Sequence, residues 1–208
     1  FGGNLLWVLV LAASLIGLRE FYKVFGLDAP DNVLAAVGYL GAAAWLVVCK
    51  VCAGSVLSSQ SERLWLVLPA AFLLILAVYV FTFPKFETQQ VMAAFFGIVY
   101  IPVMLSFIYQ TRMLEGGFYL VWLIFFCSWG CDTFAYCTGM LIGKHKLAPV
   151  LSPKKSIEGA VGGVIGAAAL GGIYGALTGA PVIAYVLICA VGAVASEIGD
   201  LAASAIKR

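Results

Sequence analysis

Leu64-Trp-Leu-Val-Leu-Pro-Ala-Ala-Phe-Leu-Leu-Ile-Leu-Ala-Val-Tyr-Val-Phe-Thr-Phe83 runs for twenty positions without a charged residue. A helix needs about 20 consecutive apolar residues to cross the hydrocarbon core of a bilayer. The stretch therefore reads as a membrane span. Six further windows, 4–18, 33–49, 91–110, 118–141, 159–179 and 181–199, have the same character. The expected fold class is all-α, a polytopic transmembrane helical bundle of about seven spans. Composition agrees: of 208 residues, 63% are hydrophobic and 11% charged, with a mean hydropathy of +1.07. Soluble domains carry roughly 45–50% apolar and about 25% charged residues, so a soluble globular protein and a disordered chain are both excluded. The net charge of +2 gives no reason to expect nucleic acid as a partner.

The charges are few, and their placement orders the chain. If successive spans alternate, loops 19–32, 84–90 and 142–158 and the tail 200–208 share one side. That side holds nine cations (Arg19, Lys23, Lys85, Lys144, Lys146, Lys154, Lys155, Lys207 and Arg208), against three on the other (Lys50, Arg63 and Arg112). Basic loops stay in the cytoplasm, which predicts a cytoplasmic polar loop and tail. Two regions follow. Residues 1–128 hold the N-terminal transmembrane helices, about four spans and the start of a fifth. Residues 129–208 hold the rest of span five, the polar loop 142–158 and two Gly-rich spans. The chain opens within an apolar stretch and stops in charged sequence, and is expected to be an internal fragment with both ends missing.

Six cysteines lie mostly inside apolar runs, where a thiol behaves as a small hydrophobe. Cys49-Lys-Val-Cys52 has no second pair to complete a zinc site. The sixth span carries Gly159, Gly163, Ala167, Gly171, Gly175 and Gly179 at four-residue intervals, with Gly162 and Gly166 alongside. Such spacing lets helix backbones approach closely in lipid; a Gly-lined groove for a headgroup or nucleotide is the alternative.

Three features carry candidate chemistry. Asp132, in Trp129-Gly-Cys-Asp-Thr-Phe-Ala-Tyr136, is an ionisable group within a span and is costly there unless paired or solvated. A functional role competes with a helix–helix hydrogen bond to a Thr or Tyr. Glu197 and Asp200 stand at i, i+3 on one helix face, with Ser196 and Ser204 at i−4 and i+4 from Asp200. Hard oxygen ligands of this kind suit Mg²⁺; a surface helix start capped by Asp200 is the other reading. The loop carries Lys144, His145, Lys146, Ser152, Lys154, Lys155, Ser156 and Glu158 before a Gly-rich helix. Ser152-Pro153 or Ser156 is placed to cap that helix, whose N-terminus with added lysines would bind phosphate. A basic patch drawn to acidic lipid explains the charge alone. Together these features describe metal-assisted phosphate chemistry at a membrane surface, with the reaction unnamed.

Asp132-Thr-Phe-Ala-Tyr136, Gly139, Gly143-Lys-His-Lys-Leu-Ala-Pro149, Ser152-Pro-Lys-Lys-Ser-Ile-Glu-Gly159 and Gly162-Gly163 resemble the phosphatidate cytidylyltransferases, or CDP-diacylglycerol synthases. In that family the region reads approximately D-T-G-A-Y-x-x-G, G-K-H-K-L-A-P and S-P-K-K-T-x-E-G. Ser196-Glu-Ile-Gly-Asp-Leu-Ala-Ala-Ser-Ala-Ile-Lys-Arg208 resembles the opening of the family signature, G-D-L-x-E-S-x-x-K-R. The match covers about 129–163 and 196–208. Phe134 stands where the family usually has Gly, Ala203 replaces an acidic residue, and the rest of the signature would lie after Arg208. The resemblance implies that CTP and phosphatidic acid give CDP-diacylglycerol and pyrophosphate at the cytoplasmic face. It implies Mg²⁺ or another divalent cation, with room for a second, held by Asp200 and by Asp132. Asp200, Asp132 and Lys155 would be catalytic. Ser152, Lys154, Lys155, Glu158, Lys144, Lys146, Ser204, Lys207 and Arg208 would bind substrate. A homodimer in a bacterial cell membrane or an organellar membrane is compatible with it.

Another CTP-dependent lipid enzyme, such as a polyprenol, dolichol or phytol kinase, is the nearest rival. An ion-coupled transporter using Asp132, Glu197 and Asp200 is a rival of another class. Inverted repeats with interrupted helices in both halves would mark a transporter, and none is visible here.

Overall fold

A computed structural model describes residues 3–29, 31–52 and 61–207. Seven helical runs are long and apolar enough to cross a membrane: Gly3–Val24, Val33–Val51, Leu64–Thr82, Thr88–Met113, Gly117–Ile142, Ile157–Thr178 and Val182–Ile206. Each contains or closely overlaps one of the seven apolar windows. The chain is thus an integral membrane protein by the length and composition of its helices. It divides into two compact units, Phe1–Glu115 and Gly116–Arg208.

The first unit holds α1 (Gly3–Val24), α2 (Val33–Val51), α3 (Ser61–Thr82), α4 (Thr88–Ile98) and α5 (Met104–Met113). A π-helical segment, Val99–Val103, joins α4 to α5. Pro102 lies within it and has no N–H to give an α-helical bond, which accounts for the widened turn. Asn32 caps α2 through its side chain, accepting from the Leu34 and Ala35 amides at 3.0 and 3.2 Å. The fully buried Tyr22 donates to the Ala94 carbonyl at 2.8 Å, and Gly38 and Gly97 leave the space its ring fills. The buried Trp45 indole donates to the Ser106 hydroxyl at 3.0 Å, which Gln110 also reaches at 2.9 Å. Polar groups inside hydrocarbon need such partners.

The second unit holds α6 (Gly117–Phe125), α7 (Cys131–Ile142), strands β1 (Lys146–Ala148) and β2 (Ser152–Ser156), α8 (Ile157–Thr178) and α9 (Val182–Ile206). A second π-helical segment, Phe126–Gly130, fuses α6 and α7 into one span. One residue more per turn rotates the following helix by about 100° relative to a straight continuation, and this sets the face on which Asp132 emerges. The loop after α7, expected only as a polar connection, is an antiparallel hairpin pairing Lys146 with Ser156 and Ala148 with Ser152. At the far end of α8, Gly179 takes φ +69°, a conformation that favours glycine, and the chain turns there into α9.

The glycines of α8 bring three helices together. A Cβ at Gly163 would lie 2.9 Å from the Cys131 carbonyl and 2.9 Å from the Ala135 methyl, both on α7. Gly162 faces Thr138, and Gly166 receives the Phe134 ring. Gly166 thus gives Phe134, the residue that departs from the family pattern, its place. Lower down, Gly171 and Gly175 face Tyr185, Cys189 and Val182 of α9 instead. The change of partner follows from helix geometry. Residues four apart advance by about 40° beyond a full turn, so the row from Gly159 to Gly175 winds from α7 to α9. Gly163→Leu is therefore expected to force α7 and α8 apart and to lower the melting temperature in detergent, overpacking costing about 1–3 kcal/mol. Gly199→Ala, where an added Cβ meets nothing within 4 Å, serves as the control. Equal melting of both variants would remove the stripe from helix packing.

Candidate active site

Helix α7 along most of its length, the start of α8 and the C-terminal half of α9 meet beside the hairpin. Gly139 and Gly159 allow the first approach: a Cβ at Gly139 would stand 3.7 Å from the Gly159 Cα. Ser156, rather than Ser152, caps α8, its hydroxyl accepting from the Gly159 amide at 3.1 Å. The Ile157 amide bonds the His145 carbonyl at 2.9 Å and ties the hairpin base to the helix. A cavity of about 280 Å³ opens here, lined by Asp132, Tyr136, Gly139, Lys154, Lys155, Ser156, Gly159 and Glu197 among others. It lies against the N-terminus of α8, where the helix dipole favours an anion although the Ile157 and Gly159 amides are already bonded.

Lys155 turns inward from β2. Its Nζ stands 2.6 Å from Glu197 Oε2 and 2.8 Å from Asp200 Oδ2, so the i, i+3 carboxylates of α9 share one ammonium. Glu197 is buried, and its other oxygen accepts from the fully buried Cys131 thiol at 3.7 Å. Asp132 lines the same cavity within electrostatic range of Lys155, Asp200 and Glu197. No hydrogen bond to a Thr or Tyr holds its carboxylate among the described residues, and the Thr133 hydroxyl instead returns to the Trp129 carbonyl at 2.8 Å. Burial works against the charge on Lys155, but the bonds from Asp200 and Glu197 outweigh it and raise its pKa above the ordinary 10.5. Three carboxylates surround this ammonium, and Lys154 on the cavity wall adds a second positive charge. Asp132 and Glu197 lie about 15 Å along their helices from the ends of α7 and α9, so the site is recessed within the spans.

The other sequence candidates fall into distinct places. Lys154 is exposed on the cavity wall. Glu158 points back to the loop: its carboxylate accepts from the Lys144 amide at 3.1 Å, the His145 amide at 3.2 Å and the His145 Nδ1 at 2.6 Å. It anchors the hairpin. Ser152 opens β2 opposite Ala148, and Lys144 and Lys146 project from the exposed face of the loop. The Ser204 hydroxyl is taken by the Asp200 carbonyl at 2.9 Å. Lys207 is exposed at the end of α9, and Arg208 lies outside the described residues. The residue spacing offered Glu197 beside Asp200 as a hard oxygen ligand, whereas the family resemblance left it out of the substrate and metal residues. Its i, i+3 spacing from Asp200 was the signal, and Lys155, 42 positions away, supplies the reason.

Among the described residues no group of three or more His, Cys, Asp or Glu side chains is arranged to hold a metal ion. Asp132 and Asp200 offer anionic oxygens of the kind a hard cation takes, and Lys155 occupies one of those of Asp200 in this structure. Glu158→Ala is expected to loosen the hairpin, because the Lys144 and His145 amides lose their shared acceptor, and amide hydrogen exchange at those two positions should quicken. Unchanged exchange there would remove Glu158 from the anchor.

The chain matches the sequence profile of the cytidylyltransferase family over residues 1–208 and belongs to that family. It is similar to the phosphatidate cytidylyltransferase of Staphylococcus saprophyticus, 29% identical over 167 residues, covering 79% of this chain and 60% of that protein. The proteins of the same name from Staphylococcus haemolyticus and Staphylococcus aureus are 28% and 29% identical over 165 residues, with 60% of each covered. The chain thus spans about 60% of the length of the curated relatives it matches.

Proposed function

We propose that this protein is a phosphatidate cytidylyltransferase, forming CDP-diacylglycerol and pyrophosphate from CTP and phosphatidic acid. The observation that carries the reading is the lysine of the S-P-K-K loop bridging Glu197 and Asp200 beside the N-terminus of α8. Family membership and the names of the similar proteins agree with it. In the reaction a lipid phosphate oxygen attacks the α-phosphorus of CTP, and pyrophosphate leaves. Both reactants are anions, so their approach must be screened. Lys154, Lys155 and the α8 dipole supply positive potential where phosphates gather. The cavity volume is near the lower limit for small-molecule sites, roughly 300 Å³, and suits phosphate groups rather than a whole nucleotide. Asp200 and Asp132 would hold a divalent cation, which when bound neutralises phosphate charge and stabilises the leaving pyrophosphate. Glu197 fixes the direction in which Lys155 presents its ammonium. Lys144, Lys146 and Lys207, exposed on the loop and tail, draw anionic substrates to the site.

The positive-inside count supports a cytoplasmic site. Product analysis of the full-length protein tests the reaction. With CTP, phosphatidic acid and Mg²⁺ in mixed micelles, one pyrophosphate should appear per CDP-lipid. Release of CDP with a phosphorylated lipid would make the protein a lipid kinase.

A further inference from the structure

A second cavity, of about 430 Å³, lies along the outer seam of α8 and α9. Val161 and Ile165 of α8 form one wall, Val194, Ile198 and Leu201 of α9 the other, and Leu147 of β1 closes its upper end. Ile165 and Ile198 are 64% and 63% exposed on helices long enough to span a membrane, so among the described residues the open side is uncovered and apolar, as a surface toward hydrocarbon would be. Two residues line both this groove and the polar cavity: Ala160 and Glu197. Glu197, whose carboxylate holds Lys155, therefore contributes its apolar atoms to this groove. An apolar channel from the bilayer and a phosphate-binding cavity share one wall.

We infer that this groove receives an acyl chain of the anionic glycerophospholipid substrate, with its phosphate directed toward Lys155. The inference rests on the reading of the site given above and adds where the lipid lies. The dimensions agree. From the level of Glu197 the walls run down for about 5 Å to Val194 on α9 and, from Ala160, for about 8 Å to Ile165 on α8, enough for the first carbons of an acyl chain whose phosphate stands at that level. Bilayer and groove are equally apolar, so transfer between them yields little hydrophobic free energy. The groove's contribution is direction and selection: the chain stays in apolar surroundings until the phosphate reaches the lysine. A helix from a second copy seated here would close that route.

Photolabelling and kinetics of the full-length protein in phosphatidate-containing micelles test the inference together. Phosphatidic acid carrying a photoreactive diazirine in its acyl chain should label peptides containing 160–165 and 194–201, and dioleoyl phosphatidic acid should compete. Ile165→Trp and Ile198→Trp, which fill the groove, should raise the apparent KM for dioleoyl phosphatidic acid about tenfold while leaving the KM for CTP unchanged. Label on other helices of an active wild-type protein would overturn the groove and leave the reaction standing. Trp variants with unchanged lipid KM would do the same, as would a change of oligomeric state without a change of lipid kinetics. Label at the groove in a protein that forms no CDP-lipid would overturn the reaction and leave the groove as a lipid site. The wild-type label needs no variant to fold.

Discussion

Asp200→Asn is expected to reduce CDP-diacylglycerol formation by about 10²–10³-fold, with the protein folded as before. Asparagine keeps the volume and one oxygen but removes the charge that a cation or Lys155 requires. The Asp200 side chain is 53% exposed, and the Lys155–Glu197 pair at 2.6 Å survives the change, so little stability is at stake. The measurement is the initial rate of lipid labelling from CTP across a Mg²⁺ titration, beside a melting curve in detergent. The rate should fall at every Mg²⁺ concentration while melting stays within a degree or so of wild type. Retention of most activity would take Asp200 out of the metal role.

Lys155→Met is expected to have the second large effect, and on two quantities at once. Activity should fall by about 10²-fold or more, because a cation at the phosphate site is gone. Stability should fall as well. Removing one partner of a buried pair costs about 3–5 kcal/mol when the other charge is left unpaired, and Glu197 is buried with only the Cys131 thiol left to serve it. Adding Glu197→Gln removes that stranded charge. The double variant should therefore recover much of the melting temperature and none of the activity. Recovery of both, or of neither, would break the link between the pair and the chemistry. The raised pKa fixes the sign of the pH dependence. A lysine stabilised in its charged form contributes fully below its ordinary 10.5 and is lost only as pH rises through the higher folded value. An alkaline fall in activity below that range therefore belongs to another group.

Much of this architecture was open to a reader of the residues alone. Seven apolar runs become seven helices because a membrane span is set by length and composition, both local properties. The glycine row of α8 announced close packing for the same reason, although the change of partner from α7 to α9 appears only once the row is wound on a helix. Three things were hidden. Pro149 and Pro153 broke any strand pattern in the loop, so the hairpin between Lys146 and Ser156 left no alternation to read. The π-helical segment before Asp132 contains no proline to announce it. The Lys155–Glu197–Asp200 cluster joins residues more than forty positions apart, and no local spacing reports such a pair. Two polar groups expected at substrate also make local bonds that no spacing announced: the Ser204 hydroxyl bonds its own helix, and Glu158 holds the loop.

The fate of the phosphates of CTP tests the central claim most directly. The full-length protein would be given phosphatidic acid, Mg²⁺ and CTP labelled at the α-phosphorus in one reaction and at the γ-phosphorus in another. The account predicts α-label in the lipid fraction and γ-label in free pyrophosphate, with both lost in Asp200→Asn. Appearance of γ-label in lipid, or of neither label in lipid, would contradict it.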